Sequence, residues 1–457
     1  MTKRNRLIVL AICTVLFFII TPYIILYSLG YRVDFKKLRI VATGGIYVKA
    51  FPQGVNVIID SKTNDKTSIL SYSVFKQNLL SGVHTVLIKK DGYYDYQKNL
   101  TIKENEVEKL EHVILIKKDI PFTLLDSNTD YFYPSPNGNY VLLATITANT
   151  AGSKKIDFNI LHVTNGQTQS FLLDNLLLSD QISTAIWSED SSNVLAKIGE
   201  HYFLLEPLLP TPKITPLPFL TSSEQATFNP QDADQIFYIK NKNLFAGRST
   251  VPIIKNIIAY QVTQNSIRSL GYDGFLRTAN LDGKTTGTVN TRALVIKNKS
   301  SYTILSYKNT VWLQEDTLLW TLNQTSGVFE DFYNPVKKVK VSPDGQKILL
   351  HNDREILFSY VNSNVPEKIF LNRLSEKVSD AFWLGDHYVV FTFGNNIIIS
   401  EIDNRGNINT VQLPNIANLP DGKTVDINNP LIYFNQQDKK LYILTGNNLL
   451  SSDQLIP

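Results

Sequence analysis

From residue 120 onward one pattern keeps returning: a turn built on Ser/Asn-Pro or Trp, one or two polar residues, then a short apolar strand. Ser135-Pro136-Asn137-Gly138-Asn139 precedes Tyr140-Val141-Leu142-Leu143-Ala144. Trp187-Ser188-Glu189-Asp190, Phe228-Asn229-Pro230-Gln231-Asp232, Val341-Ser342-Pro343-Asp344-Gly345, Phe382-Trp383-Leu384-Gly385-Asp386 and Asn429-Pro430 lead into comparable runs. With positions 136, 188, 230, 343, 384 and 430 as anchors, the steps are 52, 42, 113, 41 and 46. The long step accommodates two units of about 40 residues and a loop, or a degenerate third. Within it, Asp273-Gly274-Phe275-Leu276 reads as a turn entering a strand. Short strands at this period cannot each bury two faces, so they stack radially, as in a β-propeller. The expectation is an all-β chain whose residues 122–457 form a propeller. Seven blades are favoured, with six or eight compatible. Residues 122–125 are expected to close the ring on the last blade near 441–444.

The other end of the chain obeys a different solvent. Residues 7–29 carry no charge, and about 20 apolar residues span a bilayer core. Tyr23, Tyr27 and Tyr31 lie toward the far end, where amphipathic rings favour the interface, and Pro22 is expected to kink the helix. A cleaved signal peptide has a shorter apolar stretch, although Ser28-Leu29-Gly30 offers small residues at a cleavage-like spacing. Ile12 before Cys13 does not suit a lipoprotein site. Lys3, Arg4 and Arg6 favour a cytoplasmic tail of residues 1–6, against Arg32, Lys36, Lys37 and Arg39 in the juxtamembrane segment 30–43. The composition beyond the helix favours the N-in, C-out orientation and a signal anchor in the cell membrane. The lipid bilayer is then the first partner.

The net charge is +4, but residues 1–40 hold +6 and leave −2 for the remainder. The large region therefore lacks the basic excess of a nucleic-acid-binding face. The lone Cys13 excludes an intrachain disulfide and does not decide the compartment.

Between helix and repeats, residues 44–116 alternate with period two between turn residues, as half-buried strands do. Ile46, Val48 and Ala50 are followed by a Pro52-Gln53-Gly54 turn, then by Val55, Val57 and Ile59. Leu80-Ser81-Gly82-Val83-His84-Thr85-Val86 and Lys90-Asp91-Gly92-Tyr93 complete the pattern. These motifs, with Gly45-Ile46-Tyr47-Val48, resemble the PEGA family of small surface-associated β-domains over about seventy residues. The family's Pro-Glu-Gly-Ala reads Pro-Gln-Gly-Val here, and Lys66-Thr67-Ser68 stands where a Thr-Pro is expected. The resemblance implies a sandwich-like module of exported proteins, without catalytic residues. Gly54, Gly82 and Gly92 sit where turns need φ > 0. Residues 117–121 read as a linker. Farther on, Ser342-Pro343-Asp344-Gly345-Gln346-Lys347 resembles the turn of Tol-type periplasmic propellers and of propeller domains in prolyl-oligopeptidase relatives. The Trp-Asp dipeptide of WD repeats does not recur.

Motifs for chemistry are missing from the chain. His84, His112, His162, His201, His351 and His387 show no metal-ligand spacing, and His84 reads as a surface histidine. No Gly-x-Ser-x-Gly elbow, P-loop or dinucleotide fingerprint occurs. Asp126-Ser127-Asn128-Thr129-Asp130 opens like a calcium loop, but Tyr131 and Asn137 stand where Gly and Glu belong, so a turn is the plainer reading. No catalytic, cofactor-binding or metal site is expected. The reading is a non-enzymatic binding or scaffolding protein of the cell envelope, with a protein, peptide or glycan ligand. The alternatives are a glycan- or peptide-processing propeller enzyme whose carboxylates converge only on folding, and a structural spacer.

Overall fold

The computed structural model describes residues 3–34, 39–148, 153–307, 310–361 and 367–457. They form one long helix and an otherwise all-β chain. By its internal contacts the chain divides into two units. One contains residues 1–120, 399–413 and 455–457; the other contains 121–398 and 414–454.

In the first unit, helix α1 (Lys3–Ser28) runs unbroken through Pro22, so the expected kink does not interrupt it. At 1.5 Å per residue it is about 39 Å long. From Asn5 to Ser28 it is long and apolar enough to cross a membrane, and its apolar window is nowhere buried by protein. It passes without a linker into β1 (Tyr31–Asp34). Gly30 N–H donates to Tyr27 O at 3.2 Å, and Thr43 N–H closes back on Gly30 O at 3.0 Å. The Arg32 guanidinium caps the helix end, donating to Tyr27 O at 2.8 Å and lying 3.5 Å over the Tyr27 ring.

The small domain packs two sheets face to face. β1, β2 (Arg39–Phe51) and β5 (Ser73–Leu80) make one sheet, with β8 (Val107–Ile114) parallel to β2. β4 (Thr63–Lys66), β3 (Asn56–Ile59), β6 (Gly82–Lys89) and β7 (Tyr96–Ile102) make the other. The alternating residues read from the sequence meet inside: Ile46, Val48, Val55, Val57, Val86, Ile88, Leu100, Ile102 and Leu110. The turn at Gly54 has φ +69°.

Strand β7 leaves one edge of its sheet unpaired, and residues 399–413 cover that edge. Gln97 and Asn99 N–H groups donate to the side-chain oxygens of Asn409 (3.1 Å) and Asn407 (3.2 Å), and Asn407 Nδ2 returns a bond to Gln97 O at 2.8 Å. Amide side chains thus stand in for a neighbouring strand. Gly406 (φ +67°) lies so close that a Cβ would sit 2.1 Å from Asn99 O. Under this cover Lys98, wholly buried, donates to Glu401 Oε1 at 2.5 Å and Asp403 O at 2.7 Å. Glu401 also accepts from Tyr96 Oη and Asn409 Nδ2, both at 2.8 Å. The pair is tightly satisfied, as a buried ion pair must be.

The second unit carries the propeller. Its sheets are blade 1 (131–176), blade 2 (182–216), blade 3 (225–246), blade 4 (257–288), blade 5 (302–333), blade 6 (338–373), blade 7 (378–412, crossing into the segment assigned to the first unit) and blade 8 (431–452 with Phe122–Asp126). Seven of these sheets are four-stranded; blade 3 has three strands. The count among the described residues is eight, against the seven favoured from the period. The 113-residue step spans the end of blade 3 and blades 4 and 5. The last anchor also moves. Asn429-Pro430 precedes the first strand of blade 8, and the turn equivalent to the others is at 435–440. Phe122–Asp126 closes the ring in the expected sheet, pairing there with Asn448–Ser452.

Apolar clusters lie between successive blades. Leu142, Phe158 and Ile160 meet Trp187, Val194 and Leu205. Trp312 and Leu319 meet Ile348 and Leu357. Val141 and Leu143 of blade 1 meet Tyr442 and Leu449 of blade 8.

Truncating one partner of a buried ion pair strands the other, at a cost of about 3–5 kcal/mol. Lys98→Ala and Glu401→Ala should each destabilise the small domain by that order in urea unfolding. Lys98→Met with Glu401→Met should cost clearly less than the sum of the single changes. Strictly additive losses would show that the pair is not coupled.

Candidate binding surface

The first strand of each blade is the inner one. The first strands of blades 4 and 5, and of blades 7 and 8, touch each other. The closing strand Phe122–Asp126 occupies the opposite edge of blade 8 from Leu431–Phe434. Tryptophans at the ends of two inner strands tie them to the preceding blade. Trp187 Nε1 donates to Tyr133 O and Trp383 Nε1 to Lys340 O, both at 2.9 Å. This is the structural role of the Trp-centred turns seen in the sequence.

Side chains of these strands form a band of aromatics and paired charges. Tyr131 and Tyr133 stack at 6.4 Å, and Phe382 meets Tyr433 edge-on at 5.8 Å. Burial, with Tyr131 beside it, pushes the Tyr133 phenol well up. Burial, and then Asp438, also raise the Tyr433 phenol. Both rings therefore stay neutral hydrogen-bonding groups.

Between blades 6 and 7 lies a dense charge cluster of this band. Asp380 receives Lys338 Nζ at 2.7 Å and Lys340 Nζ at 2.8 Å. The Lys340 ammonium also sits 3.0 Å over the Phe382 ring. His351 Nε2 stands 3.5 Å from Asp380 Oδ1 with no nearer partner, an electrostatic neighbour and not a hydrogen bond. Burial by itself would raise the Asp380 carboxyl. The His351 imidazole, the Lys340 charge and the two lysine hydrogen bonds overrule it and hold Asp380 well below the usual carboxylate range. For Lys340 the balance runs the other way. Desolvation outweighs the attraction of Asp380, and Lys338 adds repulsion, so the amine falls to about 8. Lys338 is half exposed and can turn its ammonium toward a ligand.

The residues singled out in the sequence lie elsewhere. His84 is buried, not on the surface. Its Nδ1 meets Asp60 Oδ2 and its Nε2 meets Leu80 O, each at 2.7 Å, which pins the β5–β6 hairpin. The Asp126–Asp130 loop spends its carboxylates on the chain itself. Asp126 accepts from Asn128 N–H and from the Thr129 hydroxyl, while Asp130 accepts from Ile146 N–H at 2.7 Å and Asn447 Nδ2 at 2.6 Å. His162 packs edge-on against Tyr140. Among the described residues no three His, Cys, Asp or Glu side chains converge as a metal site requires. The Lys338–Lys340–Asp380 cluster went unread because its members lie on strands of two different blades. Its only signal was the alternation Lys338-Val339-Lys340-Val341, which placed two lysines on one face.

Lys340 binds fewer protons folded than unfolded between about 8 and the ordinary lysine value of about 10.4. Its burial penalty is full below that window and vanishes as the pH climbs through it, so its contribution makes stability rise with pH there. The urea midpoint of the wild type should gain on that of Lys340→Met between pH 8 and about 10.4. Parallel profiles would mean that the amine titrates as an exposed one.

No family model and no curated protein matches the chain. Among solved structures it is similar to BamB from Moraxella catarrhalis, at 11% identity and a TM-score of 0.43, over 73% of this chain and 98% of that one. It is similar also to the β-propeller domain of Cps50 (Swd1) from Myceliophteria thermophila, at 9% identity and TM-score 0.41, over 72% and 98%. A chain of the Mitotic Checkpoint Complex matches at 12% identity and TM-score 0.40, over 74% and 92%. The propeller assignment itself stands on the eight sheets and their closure by Phe122–Asp126.

Proposed function

We propose that this chain is a single-pass signal-anchor protein of the cell envelope whose propeller binds or scaffolds a partner outside the cytoplasm. The observation that carries the reading is helix α1. Its apolar window is nowhere buried by protein, and its end is bonded directly into a folded β-domain through Gly30, Arg32 and Thr43. Such a helix has no apolar partner in its own unit, and a bilayer supplies one. Lys3, Arg4 and Arg6 favour the cytoplasmic side for its start. The PEGA-like motifs of the small domain support an outward placement for the β-domains beyond the helix.

The inner-strand band supports binding over turnover. Aromatic rings beside half-exposed cations suit a protein, peptide or glycan surface. Asp380, held far below neutrality by its lysines, has no proton to give as a general acid. The basic charge sits around the helix, so nucleic acid is not the expected partner.

An alkaline phosphatase fused after Pro457, active only outside the cytoplasm, should be active, and a β-galactosidase at the same place inactive. The reverse result would overturn the orientation. A photo-crosslinking p-benzoylphenylalanine in place of Phe382 should trap a discrete envelope partner. The same group in place of Leu172, exposed on the fourth strand of blade 1, should not. Identical products at both positions, or none at Phe382, would leave the propeller a spacer.

A further inference from the structure

Among the described residues, blade 3 is the one propeller sheet with three strands. After Ala246 the chain leaves the sheet, with Gly247 N–H turned back onto Ile236 O at 2.8 Å. Residues 253–257 then run along the edge of the third strand without forming a regular strand: Leu244 N–H donates to Ile254 O and Ile253 N–H to Leu244 O, both at 2.8 Å, and Ile257 N–H to Lys242 O at 2.9 Å. Between this segment and blade 4 lies an open cleft of about 650 Å³. That volume is in the range of small-molecule sites.

The walls of the cleft are chemically divided. Ile253 and Ile254 offer an apolar side. Lys242, Lys255, Asn256, Tyr272, Asp273 and Arg277 are among the residues that line the remainder. Arg277 is already committed, its Nη1 and Nη2 donating to Asp273 at 2.9 and 2.5 Å. Gly271 makes room for that pair, since a Cβ there would lie 2.4 Å from Asp273 Oδ1. Among the described residues no carboxylate lies within 4.0 Å of Lys242 or Lys255. Lys242 Nζ hangs 4.7 Å over the Tyr272 ring. Burial, and Glu224 nearby, raise the Tyr272 phenol, which keeps its proton to donate.

Lys242 also sits where the backbone prefers another residue. Asn241 and Lys242 are the two-residue turn between the second and third strands of blade 3, at φ 51° and 64°. Glycine is favoured at the second position of such a turn. The lysine holds its ammonium over Tyr272 at the mouth of the cleft in spite of that preference.

We propose that the cleft beside blade 3 binds a small organic anion, a carboxylate or phosphate on a short apolar body. The anionic head lies between the Lys242 and Lys255 ammoniums with the Tyr272 hydroxyl donating to it, and the body rests on Ile253 and Ile254. The inference stands apart from the inner-strand band, whose residues it does not use.

The test is calorimetric titration of the full chain in lipid nanodiscs, with empty nanodiscs subtracted. The probes are hexyl phosphate, hexanoate, inorganic phosphate and hexanol. Either or both amphiphilic anions should bind saturably, at least about tenfold tighter than inorganic phosphate or hexanol. The stronger of the two identifies the head group. Lys242→Ala with Lys255→Ala should weaken that binding by about tenfold or more, with an unchanged circular dichroism spectrum and melting temperature. Lys377→Ala, an exposed lysine before the first strand of blade 7, should leave it intact. Tyr272→Phe should weaken binding without moving the melt. No saturable heat, equal affinity for inorganic phosphate, or an affinity indifferent to the double substitution would overturn the proposal.

Discussion

The propeller depends on closure. A four-stranded blade has two apolar faces and can cover neither alone, so each of its cores is shared with the next blade. A ring of such sheets has no free face only if the last blade meets the first. Here the two ends of the propeller's sequence meet in one sheet. Phe122–Asp126, which begins the propeller's sequence, supplies the fourth strand of blade 8. Val141 and Leu143 of blade 1 then pack on Tyr442 and Leu449. Closing a sheet between positions more than three hundred residues apart costs loop entropy, which grows only slowly with length. The shared core recovers far more than that.

A second circuit reinforces the first. The turns after the inner strands bond one to the next around the ring. Asn137 N–H donates to Ser191 Oγ at 3.1 Å, Asn193 Nδ2 to Ala233 O at 3.4 Å, and Gln231 Nε2 to Gln264 O at 2.6 Å. Ser306 bonds to Gln261, and the Tyr307 ring crowds Gly345, where no side chain fits. Asp344 N–H reaches Asp386 at 2.8 Å, and Gln436 Nε2 reaches Trp383 O at 2.8 Å. Asn435 Nδ2 completes the circle on Gly138 O at 2.9 Å. Each turn is polar because it serves both its own hairpin and its neighbour. Ser342 and Asp344 show the first role, accepting from the backbone N–H groups of Lys347 and Gln346.

That double role explains what was legible. The Ser-Pro-Asn-Gly and Ser-Pro-Asp-Gly turns are local devices, so a single sequence displays them, and their spacing pointed to the propeller. Blades 4 and 5 were harder. The turn of blade 4 is Thr263–Ser266, without Pro or Gly, and its bonds run between hydroxyl and backbone with no repeated motif. The count therefore came out one short. The cover over β7 was invisible for a different reason. Residues 399–413 read as part of a repeat, and nothing local announces that Asn407, Asn409 and Glu401 pair with a strand three hundred residues earlier. Lys98 falls on the inward face of β7 with Tyr96, Leu100 and Ile102, and is wholly buried because Glu401 meets it there. His84 misled because its partners Asp60 and Leu80 O come from a turn and a strand end.

The same physics separates positions that hold the fold from positions free to do something else. Most buried charges here are spent. Lys98 is spent on Glu401, Asp380 on two lysines, and Lys347 on Asp344 at 2.6 Å. A charge spent on a neighbouring strand fixes register and leaves little for a ligand. Beside the cleft between blades 3 and 4, by contrast, Lys242 and Lys255 have no carboxylate partner among the described residues. In a closed ring whose sheets spend their buried charges on one another, side chains left over for a ligand are to be sought at the surface and at irregular edges such as that of blade 3.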